Sequence, residues 1–300
     1  MSLRNILKGT GVAVVTPFAK DGAVDYDALG KLLDYIIGNA VEYIVTLGTT
    51  GETPVLTTKE KIDIVQATYA HVNGRVPVIV GIGGNNTHEV LEQLTILPLQ
   101  NAAAILSASP YYNKPSQEGI FQHYRAIAEK SSRPVILYNV PSRTGKNMEA
   151  ATTLRLATEV HNIAGIKEAS GDMAQCMAIL KDAPPQFLVV SGDDALALPQ
   201  LACGMDGVIS VAANSFPKQF SDMVRLCLSG NLASAKKIND ALIDAYHLMF
   251  AENNPAGVKA FLAEMGIMQN TLRLPNVPLS GALHQQVKNY LQKNPVICPQ

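Results

Sequence analysis

Short runs of apolar, β-branched residues recur along the chain at "GVAVVT" (11–16), "YIVTL" (43–47), "VPVIVGI" (76–82), "AAAILSA" (102–108), "PVILYNV" (134–140), "IAGIKEA" (163–169), "FLVVSGD" (187–193) and "GVISVAA" (207–213). They are apolar almost without interruption. One-sided strands alternate, so continuous runs predict parallel strands covered on both faces. Between them the period changes to that of a helix. In "DYDALGKLLDYIIGN" the positions Leu29, Leu32, Leu33, Ile36 and Ile37 share one face behind the candidate cap Asp25. "TTKEKIDIVQATYAHV" opens with Thr57 and Glu60 at capping-box spacing. A further helix starts near Asn86, and Pro98 predicts its end.

Strand–helix units in this number close most naturally into a (β/α)8 TIM barrel, α/β in class. The rival, an open doubly wound sheet, lacks its fingerprint: "GIGGNN" (81–86) does not have G-x-G-x-x-G spacing, and "SRTGK" lacks the first glycine of a phosphate loop. Three more helical patterns follow, near 232–250, 255–266 and 279–293, with no Gly/Ser linker before them. The expected organisation is a catalytic barrel over 1–230 and a C-terminal helical extension over 231–300.

Composition narrows the function. A formal net charge of −1 on 300 residues argues against nucleic acid or an anionic membrane as a partner. No apolar run approaches the ~20 residues of a membrane span, and "MSLRNILKGTG" has no secretory h-region. Cys176, Cys203, Cys227 and Cys298 show no C-x-x-C pairing, as in free thiols of a reducing cytoplasm, and the six histidines show no metal-ligand spacing. A cytoplasmic protein without a metal is expected.

A barrel of this kind builds its site at the C-terminal ends of the strands. There the chain offers "GTTGE" (48–52), with two hydroxyls and open amides suited to a carboxylate or phosphate, or simply a glycine turn. "SPYYNKP" (109–115) reads as an interface-lining loop. "YNVPSRTG" (138–145) puts Tyr138 at a strand tip and Arg143 in the loop beyond, projecting toward one rim. The sharpest signal is Lys167 of "GIKEAS", inside an apolar strand, with small Gly165 and Ala169 on its own face. Strand neighbours point to opposite faces, so Glu168 is not its partner. Two readings stand. One is an interior ion pair with another carboxylate. The other is a dry amine, partly neutral near pH 7, that condenses with a ketone to an iminium and acidifies the adjacent carbon.

Taken in order, "GTTGE", "SPYYNKP", "YNVPSRTG", "GIKEAS", "SGDD" and "GVISVAAN" fall at the ends of strands two, four, five, six, seven and eight. Together they resemble the dihydrodipicolinate synthase group of pyruvate-dependent class I aldolases and lyases, over about residues 5 to 290. The resemblance implies that Lys167 forms the Schiff base with pyruvate. It makes Tyr138 the general acid–base and Thr49 a proton relay between Tyr138 and Tyr112, the last supplied by the neighbouring subunit. Thr50 and its amide would hold the pyruvate carboxylate. Arg143 would hold that of aspartate 4-semialdehyde, which its planar fork suits. Gly192, and Ile209 through its backbone carbonyl, would shape the pyruvate pocket. No metal or organic cofactor is implied, and the activity belongs to lysine and diaminopimelate biosynthesis.

Relatives on the same barrel cleave N-acetylneuraminate or keto-deoxy sugar acids through the same lysine, and Arg143 favours the synthase over them. A binding barrel that lost turnover is expected to have replaced Lys167, Tyr138 or Thr49, and all three are present. Because Tyr112 acts in trans, the resemblance implies a homo-oligomer, a tetramer built as a dimer of dimers. Many members are inhibited by lysine at a cleft between subunits, at positions matching Thr53, Pro54, Thr58, Lys61, Asn85, Glu89 and Tyr111. Asn85, Glu89 and Tyr111 fit that pattern, while Thr58 and Lys61 depart from it. The Lys61 cation opposes a lysine ammonium, so weak or absent inhibition is expected.

Overall fold

The computed structural model describes residues 3–294; Cys298 and the rest of the terminal "PVICPQ" lie outside the described residues. Strands β1 (Gly9–Ala13), β2 (Tyr43–Thr46), β3 (Val78–Gly81), β4 (Ala104–Ala108), β5 (Val135–Asn139), β6 (Ile163–Glu168), β7 (Leu188–Ser191) and β8 (Gly207–Ser210) form a closed parallel barrel. β1 pairs with β2 on one side and with β8 on the other, which leaves no sheet edge. This is the expected (β/α)8 barrel.

Period two then sorts the apolar runs into two layers. Tyr43, Val45, Leu106, Ile136, Leu188 and Ile209 fill the barrel interior. Ile44, Val80, Ile105, Leu137, Ile166 and Val189 face the helices. Both faces of each strand are dry, which is why the sequence shows runs and not alternation. The first strand is the one misplaced element: "GVAVVT" was expected over 11–16, but the ladder covers 9–13. Val14 N still bonds Val45 O, after which Val15 N turns to Asn214 Oδ1 and Thr16 Oγ1 donates to Gly51 O. The apolar run continues past the strand because the loop it enters is also buried.

The caps read from sequence are in place. Asp25 accepts from Ala28 N at the start of helix Tyr26–Gly38. Thr57 and Glu60 exchange both bonds of the capping box before helix Thr58–Val72. Helix Thr87–Ile96, capped by Asn86, stops at Leu97 just ahead of Pro98. After helix Pro217–Leu228 come helices Leu232–Phe250, Ala256–Glu264 and Gly281–Lys293. They dock through an aromatic knot: the Phe261 ring centroid lies 5.6 Å from that of Phe216 and 5.7 Å from that of Tyr290. Full burial of each such ring is worth about 1.5–3 kcal/mol. Among the described residues, no helix is long and apolar enough to cross a membrane. Cys176 and Cys227 are buried free thiols, and Cys203 is an exposed one.

Candidate active site

Lys167 lies near the C-terminal end of β6, and its register partner on β5 is Tyr138. Partnered positions on adjacent parallel strands face the same way, so both side chains enter the barrel at one level. Lys167 is 5% exposed, and its Nζ stands 4.4 Å from the Tyr138 ring centroid. Cation–π contact of this kind gives an ammonium some compensation without neutralising it. Among the described residues, no carboxylate lies within ion-pair distance of Lys167.

Glu168, one residue on, points the opposite way, into the layer under the helices. Its carboxylate accepts from Asn139 Nδ2 at 3.0 Å, Gln175 Nε2 at 3.0 Å and Ser170 N at 2.6 Å. The two adjacent charges therefore have separate surroundings, one saturated with donors and one facing a cavity.

That cavity has a volume of about 480 Å³, within the ~300–1,000 Å³ of small-molecule sites. Lys167, Tyr138, Thr49, Thr50, Arg143 and Gly192 all line it. Thr49 and Thr50 sit in a 3-10 turn (Thr49–Gly51) after β2. Thr50 Oγ1 accepts from Asn254 Nδ2 at 3.0 Å. Arg143 belongs to a one-turn helix (Pro141–Thr144) after β5 and donates to Asn253 Oδ1 at 3.1 Å.

Gly192 explains the room around Lys167. A Cβ there would come within 2.9 Å of Lys167 Cε and 2.7 Å of Ala169 Cβ, so the lysine stem runs over bare backbone. The sequence reading assigns that role to Gly165 and Ala169; Ala169 does line the cavity, but Gly165 does not provide the room. The space beside Gly165 is taken by Leu188, whose Cβ would stand 2.7 Å from an added Cβ.

Two expected residues are not among those that line the cavity. Ile209 is buried in the barrel interior on β8. Tyr112 is 88% exposed on the loop after β4, with a left-handed φ of 70°. The same loop ties back through Asn113 Nδ2 to Asn85 O at 3.0 Å, and Glu89 accepts from Asn86 Nδ2. Thr53, Pro54, Thr58, Lys61, Asn85, Glu89 and Tyr111 all lie off the cavity. Lys61 is half-buried, and burial pulls its pKa below the ordinary lysine value.

An amine without a counter-ion, a phenol beside it and two threonine hydroxyls across a cavity can capture a small ketoacid covalently. Comparison with known proteins gives the chain its family. Residues 6–294 match the model of the "Dihydrodipicolinate synthetase family". The chain belongs to this family. It is 49% identical to the 4-hydroxy-tetrahydrodipicolinate synthase of Parabacteroides distasonis over 97% of this chain and 98% of that protein. Among solved structures, it matches one described as the first monomeric dihydrodipicolinate synthase variant, with a TM-score of 0.95 and 38% identity over 98% of this chain and 99% of the other. The DHDPS from Cyanidioschyzon merolae, solved with lysine bound, gives a TM-score of 0.92 and 35% identity over 96% and 98% of the two chains.

For a member of the dihydrodipicolinate synthetase family, the part of the site hardest to read from sequence is the share contributed by the extension. Tyr246, His247, Phe250 and Asn254 line the cavity from residues 246–254. The expected site comprised strand-end loops only. The available signal is "NNP" (253–255), which ends in the turn dipeptide Asn-Pro shortly after a long helix. Asp194 of "SGDD" likewise has no part in the expected site. It is fully buried, accepts from Val211 N and Ala212 N, and burial pushes its pKa up to about 6.

Proposed function

We infer that this protein is a 4-hydroxy-tetrahydrodipicolinate synthase, a lyase that condenses pyruvate with L-aspartate 4-semialdehyde through a Schiff base on Lys167. The observation that carries the reading is the Lys167 amine, buried without a carboxylate and 4.4 Å from the Tyr138 ring centroid in a hydroxyl-lined cavity. Lys167 Nζ attacks the keto carbon and water departs, leaving an iminium. Loss of a methyl proton then gives an enamine. The enamine carbon adds to the aldehyde of the second substrate. The amine of that substrate attacks the iminium carbon, and Lys167 leaves as the ring closes.

Tyr138 shuttles these protons, since a positive iminium beside a phenol favours proton loss from it. Thr49 relays protons to Tyr138, Thr50 holds the pyruvate carboxylate, and Arg143 takes the carboxylate of the semialdehyde. Gly192 clears the lysine stem, and the carbonyl of Ile209 closes the pyruvate pocket. Arg143 on the cavity wall favours a carboxylate-bearing partner over the polyol chain of N-acetylneuraminate.

Tyr112, exposed and held at positive φ, is assigned to the site of a second copy, in a tetramer that is a dimer of dimers. The division into a catalytic barrel (1–230) and a helical extension (231–300), and a cytoplasmic location in keeping with unpaired cysteines, belong to the same reading. With Lys61 at the candidate effector cleft, turnover persists in submillimolar lysine.

Borohydride added with pyruvate tests the reading directly. A reduced adduct on Lys167, followed by turnover of aspartate 4-semialdehyde in preference to N-acetylneuraminate, is expected. Absence of the adduct sinks every aldolase-type reading, and preference for the sugar acid replaces the synthase by the lyase. Mixing Lys167→Ala with Tyr112→Phe chains is expected to restore part of the activity that each lacks alone.

A further inference from the structure

The loop after β2 is held in a conformation that its residues do not favour by themselves. Leu47 and Glu52 both adopt left-handed backbone angles, φ 55° and 53°, on either side of Thr49 and Thr50. Such angles cost non-glycine residues on the order of 1–3 kcal/mol each and persist only where the surroundings enforce them. Part of the enforcement is local: Thr53 Oγ1 caps Leu47 O and Gly48 O, and Thr16 Oγ1 donates to Gly51 O. The rest comes from across the molecule. Glu52 is buried, and its Oε1 lies 2.5 Å from the Nζ of Lys259, on the helix Ala256–Glu264. Its Oε2 accepts from Arg273 N and Asn276 Nδ2, each at 3.3 Å. Lys259 also donates to Thr271 O at 2.9 Å and lies 4.2 Å from the Phe18 ring centroid. Neither Glu52 nor Lys259 lines the cavity.

We propose that Glu52 and Lys259 are positioning residues for the ketoacid: their buried ion pair docks the C-terminal helices onto the β2 loop and so fixes Thr49 and Thr50 where the substrate carboxylate binds. The inference rests on the carboxylate role given to Thr50 above. An ion pair in this environment is costly to break, because the partner left behind remains charged and dry. Glu52 is itself a residue of the β2 loop, next in the chain to the turn that carries Thr49 and Thr50, whereas Lys167 is anchored separately on β6. Weakening the pair therefore loosens ketoacid binding while leaving the amine able to react.

The test compares wild type with Lys259→Met, the paired variant Glu52→Gln/Lys259→Met, which leaves no lone buried charge, and Asn276→Ala, which removes one half-buried donor to Glu52. The readouts are folding by circular dichroism, the pyruvate concentration at half-maximal borohydride trapping, and KM for each substrate. Half-trapping and KM for pyruvate are expected to rise about tenfold in the Lys259 variants and less in Asn276→Ala, the scale of a displaced binding group. Trapping at saturating pyruvate, and KM for the semialdehyde, stay within about threefold of wild type. If Lys259→Met does not fold, the paired variant and Asn276→Ala carry the test. Folded variants with half-trapping within twofold of wild type overturn the proposal. Loss of trapping in the wild type instead removes the Schiff-base reading itself, so the two failures are distinguishable.

Discussion

Lys167 on β6 and Lys259 on the extension are both withdrawn from solvent, at 5% and 0% exposure, yet their Nζ groups meet different company. Lys259 has a carboxylate at 2.5 Å, a carbonyl and a phenylalanine ring. Burial pulls its pKa down while the Glu52 charge opposes that pull. Lys167 has an aromatic face and a cavity. A buried ammonium with a counter-ion is committed to holding two segments together. A buried amine without a counter-ion is left free to react. Burial alone does not separate the two cases; the nearest carboxylate does.

The largest effects come from exchanging the two roles. Lys167→Ala is expected to abolish borohydride trapping and to lower kcat/KM by about 10³-fold or more, as removal of a covalent nucleophile does elsewhere. Its thermal midpoint should stay level or rise, since a buried polar group without a hydrogen-bonding counter-ion is removed. Lys259→Ala is expected to do the reverse to the fold: a loss of about 3–5 kcal/mol, read by denaturant titration, because Glu52 is stranded. If both substitutions destabilise equally, the contrast drawn between the two lysines is wrong.

A smaller effect is expected at Gly192. Adding a methyl group within 2.9 Å of Lys167 Cε pushes the amine off its position over Tyr138. Gly192→Ala should slow trapping by about 10–100-fold, the scale of a roughly 1 Å misplacement, while overpacking costs about 1–3 kcal/mol. A wild-type trapping rate in this variant would show that the stem has another route into the cavity.

The smallest effect concerns a third buried base, His123, which shares a hydrogen bond with Thr87 and is pulled down by burial to about 4. The unfolded chain takes up this proton near pH 6.5, and the folded chain refuses it until near pH 4. Stability contributed by the neutral ring is therefore present above pH 6.5 and lost as pH falls toward 4, by roughly 3 kcal/mol in all. His123→Gln should flatten that part of the acid limb, measured by urea titration at successive pH values. An unchanged limb would assign the acid sensitivity to other groups.

How far each part was legible depends on the range of the interaction behind it. Strand runs, helix faces and the Asp25 and Thr57–Glu60 caps are local patterns, and they appear where the sequence puts them, apart from the shift of β1 into a buried loop. The strand-end motifs also marked Lys167, Tyr138, Thr49, Thr50, Arg143 and Gly192, which meet around one cavity. The interior ion pair considered for Lys167 does exist in this molecule, but it belongs to Lys259. That residue attracts no notice in "AGVKAFLAE", because one lysine in an amphipathic helix looks like a solvated one.

By itself the chain determined the order of strands and helices, the closure into a barrel and the loops that carry chemistry, since each follows from periodicity or from residues near in sequence. Tertiary structure decided which buried lysine has a partner, how Gly192 clears the amine, and that residues 246–276 complete the site and grip the β2 loop. These are contacts between positions up to 224 apart, such as Glu52 and Asn276. Their sign and strength are set by distance and desolvation, which no local pattern in the chain encodes.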